Sequence, residues 1–369
     1  MKPRLLVHIG GAKCGSTSIQ TFAALNRRRL LTEGVLVPTP QMTFERSPDG
    51  DQVWFFQNLI GQQDGPRILG ERLEALIEEN GAQRRGFFGG SRAKPRVLLS
   101  AENLSNPNGL HKTFAALAND FEIHVLLYIR RQEDAFMSGW QQWFVKTEAD
   151  LDQWIDQTTG FFADWRRTIN DWMSIGATTM NVRLFDRSLL EKQDLVHDFL
   201  HWISVRPARL KFHNSFVNVS HGAHIAELMH DCRALFTGQH DTFFEHQLFE
   251  MKIKSAAKRS GEVVFTREQI EKVRARYQDD NAWIKERYFP DLERDVLFPP
   301  MDYSKVSKPD QAEINRRNRA VISELIAKMP DSVEGRETLA LQDPAGLDRN
   351  GISALMMKVI GELKVSASA

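Results

Sequence analysis

Cysteine is nearly missing from this chain of 369 residues, which holds two, Cys14 and Cys232. Two thiols make no disulfide framework, and that fits a reducing compartment. A surplus of either charge is missing too. The 48 basic side chains are balanced by 48 acidic ones. A general binder of nucleic acid or of anionic membrane would carry a basic excess, so neither is expected. No apolar run approaches the ~20 residues that span a bilayer, and no transmembrane segment is expected. Nor is a signal peptide: the first apolar run, from Leu5, reads as a strand feeding a loop. These absences together predict a soluble cytoplasmic protein. Internal repeats are lacking as well. His197 and His201 stand four apart on a predicted helix but lack the Glu of H-E-x-x-H, so a solvated face is expected there, not a metal pair. His221 and His224 have no obvious ligand partners and are expected at the surface, and His8 is expected as a satisfied core histidine.

What is present starts at the N-terminus. Leu5-Leu6-Val7-His8-Ile9 meets a Gly-rich loop, Gly10-Gly11-Ala12-Lys13-Cys14-Gly15-Ser16-Thr17-Ser18, and the loop opens a helix. That is the physical recipe for holding a phosphate-like anion. Glycines let backbone N–H groups approach, the helix N-terminus adds partial positive charge, and the lysine adds a full one. The expected cradle is the backbone from Gly11 through Cys14, Gly15, Ser16, Thr17 and Ser18, with the Lys13 ammonium and the three hydroxyls. A Walker A loop places lysine after its second glycine. Here Lys13 precedes Gly15, so this is not the ATPase version.

The remaining pattern alternates. Residues 4–9, 34–38, 96–100, 122–129 and 180–185 read as strands. Residues 16–31 read as a helix with Ser16 or Thr17 near its N-cap, and 110–119, 133–146 and 194–203 as further helices. Apolar strands alternating with helices predict an α/β fold with a mainly parallel sheet flanked by helices. Residues 40–95 read as an insertion with one helical pattern at Leu69, Leu73, Leu76 and Ile77, and a loop at Gly86 to Gly90. From Leu210 onward the chain reads as mostly helical, over 221–236, 266–288 and a peripheral 310–328, with a frayed end at 365–369. The expected organisation is a core over 1–210, including the insertion, and a helical extension over 211–369 packed on it as one integrated domain.

Two further features sit where open α/β sheets place their ligands, at strand carboxyl ends. Arg130 closes the strand 122–129, and Ser138 follows eight residues later on the next helix: an arginine fork and a hydroxyl suit a phosphate. Glu102 lies two residues past the strand 96–100, where a carboxylate can serve as a general base or as an ordinary surface acid. Trp140, Trp143 and Phe144 suit either adenine stacking or a core. Arg84, Arg85, Arg92 and Lys94 read as a solvated charged loop.

These residues together resemble a known family. Lys13-Cys-Gly-Ser-Thr-Ser-Ile-Gln20 is similar to the 5′-phosphosulfate loop of sulfotransferases that use 3′-phosphoadenosine 5′-phosphosulfate (PAPS), whose bacterial members often read K-T-G-T-T-S-I-Q. Arg130-Arg-Gln-Glu-Asp-Ala-Phe-Met-Ser138 resembles their 3′-phosphate motif. Leu99-Ser100-Ala101-Glu102 resembles the stretch supplying the carboxylate base in the heparan-type and related bacterial branches. The likeness is good over 5–145 and loose beyond. It departs at Cys14 and Ser16, where threonines are usual, and the late basic loop of some members has only Lys258-Arg259-Ser260-Gly261 as a candidate. Cys14, near a helix N-terminus and a lysine, suggests a lowered thiol pKa and sensitivity to oxidation.

The resemblance implies a P-loop-like fold and a transferase that moves a sulfuryl group from PAPS to a hydroxyl or amine of a carbohydrate or small molecule. PAP is then the product, and no metal is required. Lys13 would stabilise the leaving group, Glu102 would act as base, the loop would hold the 5′-phosphate, and Arg130 with Ser138 the 3′-phosphate. Two other readings stay open: a P-loop kinase or NTPase, and a non-catalytic nucleotide-binding protein. The acceptor, the choice between O- and N-sulfation and the oligomeric state have no signature in the sequence.

Overall fold

The computed structural model describes residues 2–11, 13–88, 96–148, 150–212 and 221–368. The first half of the chain runs β1 (Arg4–His8), α1 (Ser16–Thr32), β2 (Val35–Leu36), α2 (Val53–Leu59), α3 (Gly65–Phe88), β3 (Arg96–Ser100) and β4 (Glu122–Ile129). It continues through α4 (Gln132–Gln142), α5 (Leu151–Thr158), α6 (Trp165–Ser174), β5 (Thr179–Leu184) and α7 (Leu195–Trp202). Helices follow: α8 (Ala223–Asp231), α9 (Phe243–Glu250), α10 (Arg267–Arg276), α11 (Gln278–Tyr288), α12 (Gln311–Lys328), α13 (Arg336–Ala340) and α14 (Arg349–Ser368).

The chain divides into two compact units. The first comprises 1–135, 160–215 and 276–298, and the second 136–159, 216–275 and 299–369. The expected division at 210/211 differs from these units in three places, the smallest being 211–215, which go with the sheet. Residues 136–159 go with the helical unit, and α11 goes with the sheet.

In the first unit five parallel strands lie in the order β2-β3-β1-β4-β5. The expected α/β class with a flanked parallel sheet is therefore present. β1 is central because it can be: Leu5, Leu6 and Val7 are all buried, as a strand covered on both faces requires. From β1 the chain leaves toward β2 on one side, while β4 leads to β5 on the other. This reversal is where such sheets open a crevice beyond the strand ends. The loop after β1, the arginine after β4 and the glutamate after β3 all belong to that edge.

The second unit is helical. α12, expected to be peripheral, instead buries Ile314, Val321, Ile322 and Leu325 and forms part of the core. Phe136, Trp140, Phe144 and Trp154 pack together, with Trp154 4.8–5.4 Å from each of the other three rings. Of the three aromatics weighed above, Trp140 is core, while Trp143 and Phe144 are half-buried. Lys146 is fully buried, paired with Glu245 and donating to the Asp241 carbonyl at 2.6 Å.

Several elements differ from the sequence pattern. Residues 40–95 hold a second helix, α2. Residues 110–119 form two short 3-10 turns, Leu110–Phe114 and Ala116–Asn119, and the helix expected over 133–146 stops at Gln142. The pattern over 266–288 breaks between α10 and α11 at Tyr277. Its hydroxyl donates to the Phe162 carbonyl at 2.7 Å and accepts the Gly160 N–H at 2.8 Å, anchoring the break within the sheet unit. α14 runs to Ser368, where the pattern predicts fraying. α3 covers 86–88 of the expected loop; residues 89 and 90, with Arg92 and Lys94, lie outside the described residues, as do the side chains of Arg84 and Arg85. His224 is buried, not at the surface.

His8, at the end of β1, is fully buried with Nδ1 2.8 Å from the Ser100 hydroxyl and, among the described residues, no partner on Nε2. Burial pushes its pKa from 6.5 down to about 3. The unfolded chain thus binds this proton at a higher pH than the folded one. Stability is undiminished above about 6.5 and falls as pH drops toward 3, by at most about 1.4 kcal/mol per pH unit. Replacing His8 with Gln is expected to flatten the dependence of the urea midpoint on pH between 6.5 and 4. An unchanged slope would show that His8 does not carry it.

Candidate active site

The backbone after β1 is built for close approach. The Ile9 N–H still bonds to the Leu126 carbonyl at 3.0 Å, so the chain leaves the sheet at Gly10, which has a φ of +49°. A Cβ on Gly11 would sit 2.2 Å from the Tyr128 carbonyl oxygen and 3.2 Å from the Trp165 ring, so no larger residue fits against β4. Lys13 has a φ of +63° and Gly15 of +81°. The Cys14 N–H turns back to the Gly11 carbonyl at 3.0 Å. Gly15 is the N-cap of α1, displacing the expected Ser16 or Thr17, because the cap must be left-handed. Among the described residues no side chain caps α1, and its first turn holds no acid. The Ser18 N–H bonds to the Gly15 carbonyl at 3.0 Å, and the N–H groups of Ser16 and Thr17 ahead of it, with the partial positive charge, are placed to meet a ligand.

Four of the expected side chains converge here. Lys13 is half-buried, and burial lowers its pKa, with the Arg130 charge acting in the same direction and Glu102 opposing. Arg130 Nη1 donates to the Lys13 carbonyl at 2.8 Å, and Nη2 lies 3.9 Å from Asp134. The Arg130 guanidinium also stands 5.9 Å from the centre of the Phe185 ring. Glu102 opens a 3-10 turn, Glu102–Ser105, directly after β3. Its Oε2 accepts from the Ser16 hydroxyl at 2.9 Å. A Cβ on Gly10 would lie 3.5 Å from both Cα and Cβ of Glu102, which places the carboxylate beside the loop.

The remaining expected residues are arranged as follows. Ser16 is buried, and its hydroxyl donates to Glu102. Thr17 is exposed and Ser18 half-buried at the helix start. Ser138 lies half-buried on α4 within the second unit, so its pairing with Arg130 is carried by sequence alone. Cys14 corrects an expectation: its thiol is buried, and burial pushes its pKa up to about 12 despite the nearby arginine and lysine. A thiol so disposed is not a ready target for oxidation. Sequence reasoning does not single out Trp165. Its Nε1–H donates to the Arg130 carbonyl at 2.9 Å, a contact across 35 residues that no local pattern announces.

Two cations, a helix N-terminus and a carboxylate around one loop can bind a multiply charged anion and take a proton from a group beside it. No protein-family model and no curated protein matches the chain. Among solved structures it is similar to a sulfotransferase from Alicyclobacillus acidocaldarius, with 14% identity and a TM-score of 0.31, over 57% of this chain and 84% of that one. No helix among the described residues is long and apolar enough to cross a membrane.

The crowding at Gly11 gives a direct test. Gly11→Ala is expected to destabilise the protein by about 1–3 kcal/mol, since the clash is with backbone. Gly70→Ala, in the interior of α3 with its nearest neighbour 3.4 Å away, should stabilise by about 0.5–1 kcal/mol. Thermal melts that shifted alike for both would contradict the close approach.

Proposed function

We propose that this chain is a PAPS-dependent sulfotransferase acting on a hydroxyl or amine of a carbohydrate or small-molecule acceptor. The observation that carries the reading is the convergence of Lys13, Arg130 and Glu102 on a loop whose lysine precedes its last glycine. In this reading the α1 N-terminus holds the 5′-phosphate through the N–H groups of Gly15, Ser16 and Thr17, since those of Cys14 and Ser18 already bond within the loop. The Lys13 ammonium stabilises charge on the bridging oxygen as the S–O bond to phosphate breaks. Glu102, oriented by Ser16, accepts the acceptor's proton as the new bond to sulfur forms, and PAP departs. Arg130, with Ser138, takes the 3′-phosphate and so selects PAPS over ATP. Sulfuryl transfer of this kind rests on positioning and charge stabilisation, as phosphoryl transfer does.

One observation favours a second reading, a P-loop kinase or NTPase. A hydroxyl at the start of α1 bonded to an acid closing a neighbouring strand is also the hardware that holds magnesium in such enzymes. Against it, β4 ends in two arginines, Arg130 and Arg131, and the lysine order differs from Walker A. A non-catalytic nucleotide binder would need none of the Ser16–Glu102 pairing.

Calorimetry with PAP, ADP and ATP, with and without magnesium, separates these readings. The sulfotransferase reading predicts tight, metal-independent binding of PAP, weakened about 10- to 100-fold in Arg130→Ala. Preference for magnesium-ATP would replace it with the kinase. With an acceptor in hand, Glu102→Gln should lower kcat about 10²- to 10⁴-fold while PAP affinity stays near that of the wild type. Binding without turnover of any acceptor would favour the non-catalytic reading.

The lowered pKa of Lys13 has its own consequence. In the unliganded protein its ammonium should lose its proton below the ordinary lysine range, and bound PAP should raise that value. Reaction of Lys13 with an amine reagent, followed against pH with and without PAP, checks both directions.

A further inference from the structure

We infer that α6 is a crossbar that fixes the anion-binding loop and the carboxylate of Glu102 relative to each other, with Trp165 and Trp172 as positioning residues at its two ends. This inference rests on the functional reading above for its kinetic consequences, but not for its geometry. Trp165, Thr168 and Trp172 are spaced i, i+3 and i+7 and so share one face of the helix. All three are buried to within about two per cent exposure. At one end, Trp165 donates to the Arg130 carbonyl at 2.9 Å, and its ring lies against Gly11. At the other, Trp172 Nε1 donates to the Leu104 carbonyl at 3.1 Å; from the first turn, Thr168 Oγ1 lies 3.1 Å from the Ser105 carbonyl and 3.0 Å from the Asp164 carbonyl of its own helix, one proton serving both. Arg167 Nη2 adds a bond to the same Ser105 carbonyl at 3.3 Å.

Leu104 and Ser105 belong to the 3-10 turn that Glu102 opens. The two ends of α6 therefore hold the backbone just past β4 and just past β3, the strands on either side of β1. Neither segment is joined to α6 by a short connection. The loop itself hangs from the first joint, because Arg130 in turn donates to the Lys13 carbonyl. A rigid helix gripping carbonyls on both flanks of a strand–loop junction sets the span between base and anion site, and a misplacement of about 1 Å there costs on the order of 10²-fold in rate. Tryptophan suits such a joint, since it buries a large apolar body and still offers one donor at a fixed point.

The experiment compares Trp165→Phe with Trp172→Phe in the full chain; each keeps a ring and removes one N–H. Trp165→Phe is expected to weaken PAP binding about fivefold and to raise KM for PAPS, leaving the acid limb of the kcat profile in place. Trp172→Phe should leave PAP affinity within about twofold and lower kcat about fivefold, shifting that limb. Hydrogen exchange on the ligand-free protein supplies the independent readout. Exchange should rise at 10–18 for the first variant and at 102–106 for the second. Thr168→Val tests the second joint if Trp172→Phe does not fold. Identical effects from both variants, or no effect beyond a lower melting temperature, would reduce α6 to ordinary core. If the wild type binds no PAP, the functional reading falls, and the exchange pattern alone decides the crossbar.

Discussion

The backbone from Gly10 to Gly15 passes so close to its neighbours that the rest of the sheet edge has to be organised around it. Side-chain volume is excluded at Gly11 by the Tyr128 carbonyl and at Gly15 by Leu195 and Phe185. A chain with no side chain at those points can lie directly on β4 and turn its N–H groups outward. That one steric condition puts the α1 N-terminus, the Lys13 amine and the Arg130 guanidinium beside a common space. It also brings Gly10 against Glu102, so the carboxylate and the loop are coupled through van der Waals contact as well as charge.

The electrostatics of this edge set two cations beside the Glu102 carboxylate. Lys13 and Arg130 repel each other, both are half-buried, and a helix N-terminus adds further positive potential. Glu102 counters them at the loop, where the Ser16 hydroxyl donates to it, and Asp134 lies 3.9 Å from Arg130. Bringing two cations together at partial burial opposes folding, since desolvation and like charge both disfavour the ionised forms. A dianion bound at the loop removes both penalties at once. Burial is the first cause of the lowered pKa of Lys13, and the Arg130 charge adds to it while Glu102 opposes.

Much of this is legible in the sequence because it is written in local patterns. β1, β3, β4 and β5 read directly from short apolar runs, and the loop from its glycines. Arg130 and Glu102 stand out by their place after strands, which parallel α/β topology makes informative. What stays hidden depends on contacts distant along the chain. The Ser16–Glu102 bond spans 86 residues and the Trp165–Arg130 bond 35, and neither leaves a periodic signature. The Cys14 thiol is misread for the same reason: helix position and lysine are visible in sequence, while the burial that overrides them is not. The break at Tyr277 and the core role of α12 likewise follow from packing against residues far away in the chain. The grouping of α11 with the sheet unit is a consequence of the same kind.

The order of lysine and glycine then acquires a physical meaning. Lys13 occupies a left-handed conformation, which costs a residue with a Cβ about 1–2 kcal/mol. Such strain persists where surrounding contacts over-determine it, and here they do: Arg130 holds the Lys13 carbonyl, and Gly15 follows two residues later in its own left-handed turn. Placing the lysine after Gly15 would put it in the first turn of α1, with helical backbone and its carbonyl committed to the helix. Placed before, its carbonyl stays outside the helix ladder and becomes the link through which Arg130, and behind it Trp165, governs the loop. A lysine so tethered is directed by its backbone as well as by its charge. The strain at Lys13 thus joins the cation at the end of β4 to the amine that would meet the leaving group.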